Sequence, residues 1–252
     1  MVPPRILTIA GSDPSGGAGL QADIKTITML GGYAMSAVTA ITVQNTLGVS
    51  GVEVLSPDMV GAQVSACLSD IGADAVKIGM LGSAAVAHRV ADLLEQVAVP
   101  VVFDPVMVAT SGGVLADPDT VAAFERMIAL AALVTPNLPE LAALGGEAAL
   151  ACRTRALLVK GGHGEGDLVI DRLVGSQGEL ARWENPRVAT RHTHGTGCTL
   201  ASAIATGLGA GLDLSAACGQ GIAFVQAALA AAPGLGAGAG PLGHQAVLQP
   251  IP

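Results

Sequence analysis

The stretch "RILTIAGSDPSGGAGLQADIKTITMLGG", residues 5–32, decides the fold class. Its first residues are apolar and β-prone and stop at Gly11, which reads as a buried strand. A loop rich in glycine and serine follows, and from about residue 18 to residue 30 the pattern becomes helical. Ile24, Ile27 and Leu30 would share one face there, with Gly31-Gly32 suited to the C-terminal cap. Strand, glycine-rich turn and helix form the opening half of a βαβ unit.

The same alternation continues outward from it. "AMSAVTAITVQ" reads as a strand ending near Gln44, and a helix after Ser56-Pro57 places Val60, Val64 and Leu68 at helical spacing. "ADAVKIG", "VPVVFDPV", "ALVTPN" and "RALLVKGG" give further strands, with "AAVAHRVADLLEQV" as a helix between the first two. Residues 166–190 break the rhythm and read as a β-meander. Helices over about 195–208 and 215–232 close the domain, and a Gly/Pro-rich tail from about 233 reads as irregular. Strands alternating with helices predict an α/β protein with helices on both faces of a mostly parallel sheet. With no internal repeat and no linker, residues 1–252 read as a single domain.

The 51% apolar content supplies a large core, yet no apolar run approaches the roughly 18 residues of a membrane helix. The N-terminus lacks the features of a signal peptide, so a cytoplasmic protein without membrane partners is expected. A net charge of −8 with only 12 Lys and Arg argues against nucleic acid as a partner, and five aromatic residues offer little for base stacking. Cys67, Cys152, Cys198 and Cys218 form no CxxC pair, so neither a zinc site nor a disulfide framework is expected.

Asp13, Gln44, Lys77, Asp104, Asn137 and Lys160 all fall at or near the ends of predicted strands. In open parallel sheets that edge carries the ligand crevice. Two glycine-rich loops compete there for an anion. "GSDPSGGAG" (residues 11–19) fits neither GxGxxG nor GxxxxGK[ST], and Asp13 and Asp23 would repel phosphate, so it is a ligand cradle for neutral groups or a tight βα turn. "THGTGCTL" (residues 193–200) puts Gly195, Thr196 and Gly197 before an apolar helix with no carboxylate in the loop itself, and is the better anion site. Cys198 at that helix start would have its thiol acidified and could act as base or nucleophile, or be a small packed thiol. Asp104 ends an apolar strand and Glu140 follows in "TPNLPE"; magnesium with substrate phosphates would suit both, although a capped turn and a first-turn glutamate are the structural alternatives. Lys160, after three apolar residues, is expected to meet an anion. His163, His192 and His194 read as solvated loop histidines.

Taken together, "LTIAGSDPSGGAGLQADIKT", "TAITVQNTLGV", "KIGML", "DPVMVATSGG", "TPNLPE", "LVKGGH" and "THGTGCTLASAIA" resemble the hydroxymethylpyrimidine/phosphomethylpyrimidine kinases of thiamine biosynthesis, in the ribokinase-like superfamily. The segments stand in family order from about residue 7 to 205. The resemblance implies a three-layer α/β/α fold and an ATP- and Mg2+-dependent phosphorylation of 4-amino-5-hydroxymethyl-2-methylpyrimidine, then of its monophosphate. It implies that Asp23 and Gln44 hydrogen-bond the pyrimidine, with Ala18, Met80 and Val106 lining its pocket. Gly195, Thr196, Gly197 and Cys198 would form the anion hole, with Cys198 as the base where most sugar kinases of the superfamily carry aspartate. Asp104 and Glu140 would organise magnesium, Lys160 and Asn137 would serve the nucleotide, and the chain would be a homodimer.

The chain departs from the family in a shortened segment between Glu140 and Lys160, expected to be too short for a full extra helix. It also departs at Thr110, Gly113 and Arg191-His192, where lost charge would weaken phosphate contacts. Pyridoxal kinase is the nearest enzymatic alternative and a non-catalytic pyrimidine-binding regulator a second. A cysteine hydrolase pairing Cys198 with His194 is disfavoured, because nothing completes a triad.

Overall fold

The computed structural model describes residues 2–108, 113, 115–164 and 166–247. Its strands are β1 (Arg5–Ser12), β2 (Tyr33–Asn45), β3 (Gly48–Val54), β4 (Ala75–Ile78), β5 (Val101–Phe103), β6 (Leu133–Val134), β7 (Leu157–Val159), β8 (Leu168–Gly175) and β9 (Gly178–Pro186). They form one sheet in the order β3-β2-β1-β4-β5-β6-β7-β8-β9. The six strands from β2 to β7 in that order pair in parallel, while β3 at one edge and β8–β9 at the other run antiparallel. The helices are α1 (Gly19–Met29), α2 (Pro57–Asp70), α3 (Ala84–Leu94), α4 (Pro118–Leu130), α5 (Leu138–Ala143), α6 (Glu147–Ala151), α7 (Thr196–Gly209) and α8 (Leu214–Ala230).

Alternation along the buried strands divides the core in two. Leu7 and Ile9 of β1, Val76 and Ile78 of β4 and Phe103 of β5 face α2, α3 and α4, where Val64, Val90 and Phe124 cover them. Ile6, Ala75, Val102 and Leu158 face the other way, onto Ile27 of α1, Ile204 of α7 and Ile222 of α8. The result is the expected ribokinase-like three-layer α/β/α arrangement.

Local side-chain chemistry fixes where helices start, at the expected place for α2 and at a place not read from the sequence for α4. Ser56 caps α2 by accepting from Met59 N, with Pro57 at the first helical position, and Asp117 caps α4 through Thr120 N. The buried face of α1 differs from the expected one: it carries Leu20, Asp23 and Ile27, while Ile24 is exposed. A charged residue on the inner face hides the true stripe from a hydrophobicity count. Strand β3 and helix α4 were not anticipated, β3 because a half-exposed edge strand shows no apolar alternation. The shortened segment forms two short helices, α5 and α6, in place of one full helix. The tail to residue 247 is irregular apart from a 3-10 turn over His244–Ala246, and it is docked: His194 N donates to Gly240 O at 3.1 Å, and Leu242 and His244 are buried.

The order in which successive strands are added reverses at β1, whose parallel neighbours are β2 on one side and β4 on the other. Parallel strands diverging there open a crevice beyond their C-terminal ends. The loops after β1, β4 and β5 and the start of α7 converge on it.

Candidate active site

A pocket at this switch point is lined by Gly11, Thr42, Gln44, Met80, Val106 and Cys198. Four residues expected there, Gln44, Met80, Val106 and Cys198, come together from β2, the turns after β4 and β5, and α7. Ala18 is the residue before α1, next to the lining residue Gly19; its N–H donates to Asp13 Oδ2 at 2.8 Å. Asp23 is not in the pocket, which corrects its expected role. It is fully buried and accepts from Lys77 Nζ at 2.9 and 2.8 Å, Thr8 Oγ1 at 2.6 Å and Ser202 Oγ at 2.8 Å. A carboxylate so saturated has no lone pair directed at a ligand. Lys77, also expected in the cleft, is its buried partner behind the pocket.

The loop expected to receive an anion stands beside this pocket. Gly195 precedes α7 with φ of 87°, and a Cβ there would come within 1.9 Å of Gly17 O, so only glycine permits the two loops to meet. No side chain caps α7, and Thr196 N donates to Thr193 O at 3.3 Å. The N–H groups of Gly197 and Cys198 thus lie at the open positive end of the helix. A Cβ on Gly197 would stand 3.2 Å from Asp104 Oδ2 and 3.3 Å from Lys160 Nζ, so the helix end faces that charged pair.

Cys198 departs from the expected acidity. Burial pushes its thiol up to about 11, with Asp23 and Asp104 adding to the effect, against Lys77 and the Gly19 N–H. The helix terminus does not lower it, because desolvation of a thiolate outweighs one turn of aligned dipoles. Cys67, Cys152 and Cys218 are free thiols, with Cys152 on the surface and Cys218 in the core.

Asp104 accepts from Thr135 Oγ1 at 3.0 Å and from Lys160 Nζ at 2.8 Å. Burial disfavours the Lys160 ammonium, but Asp104 and Glu140 outweigh that and hold its pKa above the ordinary value. Asn137 and Glu140 form a capping box on α5: Glu140 N donates to Asn137 Oδ1 at 2.9 Å and Asn137 N to Glu140 Oε2 at 2.8 Å. Burial raises the Glu140 carboxyl to about 7; Lys160 opposes the rise and Asp104 adds to it. Two neighbouring carboxylates, one destabilised by the other, suit a divalent cation completed by phosphate oxygens and water. Among the described residues no cluster of three or more His, Cys, Asp or Glu side chains that could hold a metal ion is present.

Sequence reasoning missed a second cavity of ≈ 290 Å³, lined by Leu138, Val159, Gly161, Leu168, Ile170 and Arg172. It adjoins the Lys160 segment, and its wall comes from the β8–β9 meander, which carries no motif. His194 was also misread. It is buried, and its Nε2 lies 2.8 Å from Asp13 Oδ2 and 3.3 Å from Gln44 Nε2. Asp13 also accepts from Ser15 N and Oγ and from Ala18 N. Burial raises the Asp13 carboxyl, but the bonds from His194, Ser15 and Ala18 hold it below the ordinary value. The first loop is therefore folded around its own carboxylate. Thr110 and the side chain of His163 lie outside the described residues; Gly113 is described, against Val49 of β3.

A sequence model of the phosphomethylpyrimidine kinase family matches residues 13–243. The hydroxymethylpyrimidine/phosphomethylpyrimidine kinase of Rhizobium meliloti is 46% identical over 255 residues, covering 94% of this chain and 96% of that protein. The thiamine biosynthesis multifunctional protein ThiED of Corynebacterium efficiens is 43% identical over 97% of this chain, which spans 35% of that longer protein. Among solved structures, the pyridoxal kinase of Staphylococcus aureus in complex with AMP-PCP and pyridoxal superposes with a TM-score of 0.88 at 31% identity, covering 98% of this chain and 95% of that one.

Proposed function

Because this chain belongs to the phosphomethylpyrimidine kinase family, we propose that it transfers the γ-phosphoryl group of ATP to the hydroxymethyl group of 4-amino-5-hydroxymethyl-2-methylpyrimidine, and then to the monophosphate, in thiamine diphosphate biosynthesis. One observation carries the reading: the open N-terminus of α7 faces the Asp104–Lys160 pair on one side, and Cys198 lines the heterocycle pocket on the other. Acceptor, phosphoryl group and nucleotide phosphates would then stand in a row.

The enzyme is a phosphotransferase, and its residues divide the work that such transfer needs, mostly positioning and charge stabilisation. Gln44 binds the heterocycle by hydrogen bonds between Met80 and Val106. The N–H groups of Gly197 and Cys198, with Gly195 and Thr196 shaping the turn, stabilise the equatorial oxygens of the moving phosphoryl group. Lys160 neutralises nucleotide phosphate, and Asn137 lies beside it at the β6–β7 end, where the two form a backbone bridge. The ≈ 290 Å³ cavity takes the nucleoside end. Asp104 and Glu140 would hold magnesium, which when bound would supply neutralisation of phosphate charge. The Cys198 thiolate, the minor form at neutral pH because burial raises the thiol to about 11, accepts the hydroxyl proton as the new phosphorus–oxygen bond forms and passes it to solvent before the next turnover.

Coupled ATP-consumption assays with the pyrimidine alcohol, its monophosphate and pyridoxal in parallel test this. Turnover of both pyrimidines supports it. Turnover of pyridoxal alone would favour the second reading, suggested by the similarity to a pyridoxal kinase. Pyrimidine binding without turnover on any substrate would leave a regulatory domain. Homodimerisation and a cytoplasmic location belong to the same proposal, the former checked by light scattering. Among the described residues no helix is long and apolar enough to cross a membrane.

A further inference from the structure

The buried imidazole of His194 takes no part in the steps above. We propose that His194 is a specificity-determining positioning residue: its Nε2–H, anchored on Asp13, sets the side-chain amide of Gln44 with its oxygen toward the imidazole and its NH2 toward Thr42.

Proton inventory carries this. The Asp13 carboxylate already accepts from Ser15 N at 2.9 Å, Ser15 Oγ at 2.7 Å, Gly17 N at 3.2 Å and Ala18 N at 2.8 Å, so it faces donors only. His194 Nε2, at 2.8 Å from the same carboxylate, must carry a hydrogen, because two acceptors cannot bond. The other tautomer would also strand a donor, since Nδ1 is buried without a partner. Thr42 Oγ1 owns a single proton and gives it to Ser12 O at 2.8 Å. It can therefore only accept from Gln44, whose amide lies 3.2 Å away. With the amide nitrogen toward His194, at 3.3 Å, two donors would meet there while Thr42 lacked a second proton. Turning the amide by half a revolution gives Thr42 an N–H to accept and replaces the donor–donor clash with a three-centre bond, in which the one Nε2 hydrogen points mainly at Asp13 Oδ2 (2.8 Å) and secondarily at the Gln44 oxygen (3.3 Å); amide oxygen and nitrogen are equivalent in shape.

The consequence is a fixed reading head. With its oxygen shared with His194 and one N–H given to Thr42, Gln44 keeps one N–H and one carbonyl lone pair. An edge that presents a ring nitrogen beside an exocyclic amine complements that pair. This step rests on the aminopyrimidine reading above; the tautomer and the amide orientation do not. His194 is held in place independently of the ligand, by its backbone N–H to Gly240 O and by ring contact with Gly17.

Two measurements test it. Long-range 1H–15N correlation of the histidine-labelled full chain should show His194 protonated at Nε2; an unprotonated Nε2 overturns the inference whatever the substrate. His194→Leu and His194→Gln are then compared on the aminopyrimidine alcohol and on its analogue lacking the exocyclic amine. In the Leu variant KM for the aminopyrimidine should rise about ten- to a hundredfold, with preference over the analogue lost. Its kcat and KM for ATP should stay within about threefold of the parent. Gln, which restores a donor, should recover most of the preference. An unchanged preference in the Leu variant, or a Gln variant no better than Leu, overturns the proposal. If the parent turns over neither alcohol, the functional reading falls, and the tautomer measurement still decides the inference.

Discussion

Asp23→Ala separates the two roles that can be given to the residue, ligand of the pyrimidine or buried counter-ion. In the folded chain both Asp23 and Lys77 side chains are 0% exposed. The carboxylate takes two bonds from Lys77 and one each from Thr8 and Ser202, joining β4, α1, β1 and α7. Removing it strands an ammonium in the core, which costs about 3–5 kcal/mol. Against a total stability of about 5–15 kcal/mol this is a large fraction. Burial alone lowers the Lys77 pKa, and in the parent the Asp23 charge overcomes that and raises it. The parent pair therefore contributes fully below the ordinary lysine value and loses its contribution as pH rises through the folded one. In the variant Lys77 gives up its proton more readily on folding, so the gap between the two proteins narrows toward alkaline pH. Urea unfolding followed by the single Trp183, on β9, and by circular dichroism reads the loss. Asp23→Leu paired with Lys77→Met should recover most of it, because no charge is then buried alone. A stability within about 0.5 kcal/mol of the parent, joined to a raised KM for the pyrimidine, would refute the counter-ion role.

Cys198→Ala should lower kcat by about 10²–10⁴-fold with KM for ATP unchanged. Since the thiol stands at about 11, kcat/KM of the parent should climb with pH across the neutral range, and stopped assays should show that slope vanish in the variant. Gly195→Ala combines a left-handed backbone with a Cβ 1.9 Å from Gly17 O; a loss beyond the about 1–2 kcal/mol of the backbone term, with activity abolished, is expected from thermal unfolding and turnover assays. His244 is buried at Thr199 Oγ1, 2.8 Å away, and burial, helped by Lys25, lowers its pKa to about 4. A depressed value means its neutral form is favoured by folding, so stability should fall by up to about 3 kcal/mol as pH drops from about 6.5 toward 4. Denaturation midpoints against pH should lose that component in His244→Gln.

Much of the site was legible in the sequence because strand ends and glycine turns are local signals. Gln44, Met80, Val106 and Cys198 do line one pocket, and "TGC" does open a helix beside Asp104 and Lys160. The errors share a cause: each concerned a polar group whose environment is made by distant segments. Asp23 looked available because its partners, Lys77 and Ser202, lie 54 and 179 residues away. His194 looked solvated because Asp13 is 181 residues off and the covering tail comes later still. Cys198 looked acidic because a helix start is visible in sequence and burial is not.

The sequence by itself determined the parallel α/β layering, the succession of central strands and helices along the chain, and the uncapped glycine turn that opens α7, since periodicity, capping residues and glycine spacing act within a few residues. Tertiary structure alone decided that Asp23 is a buried counter-ion while Asp104 stands beside the α7 start, how readily the thiol ionises, and which polar groups surround Gln44. Those depend on desolvation and on pairing across the switch point of the sheet, where free energy is set by neighbours that chain order does not reveal.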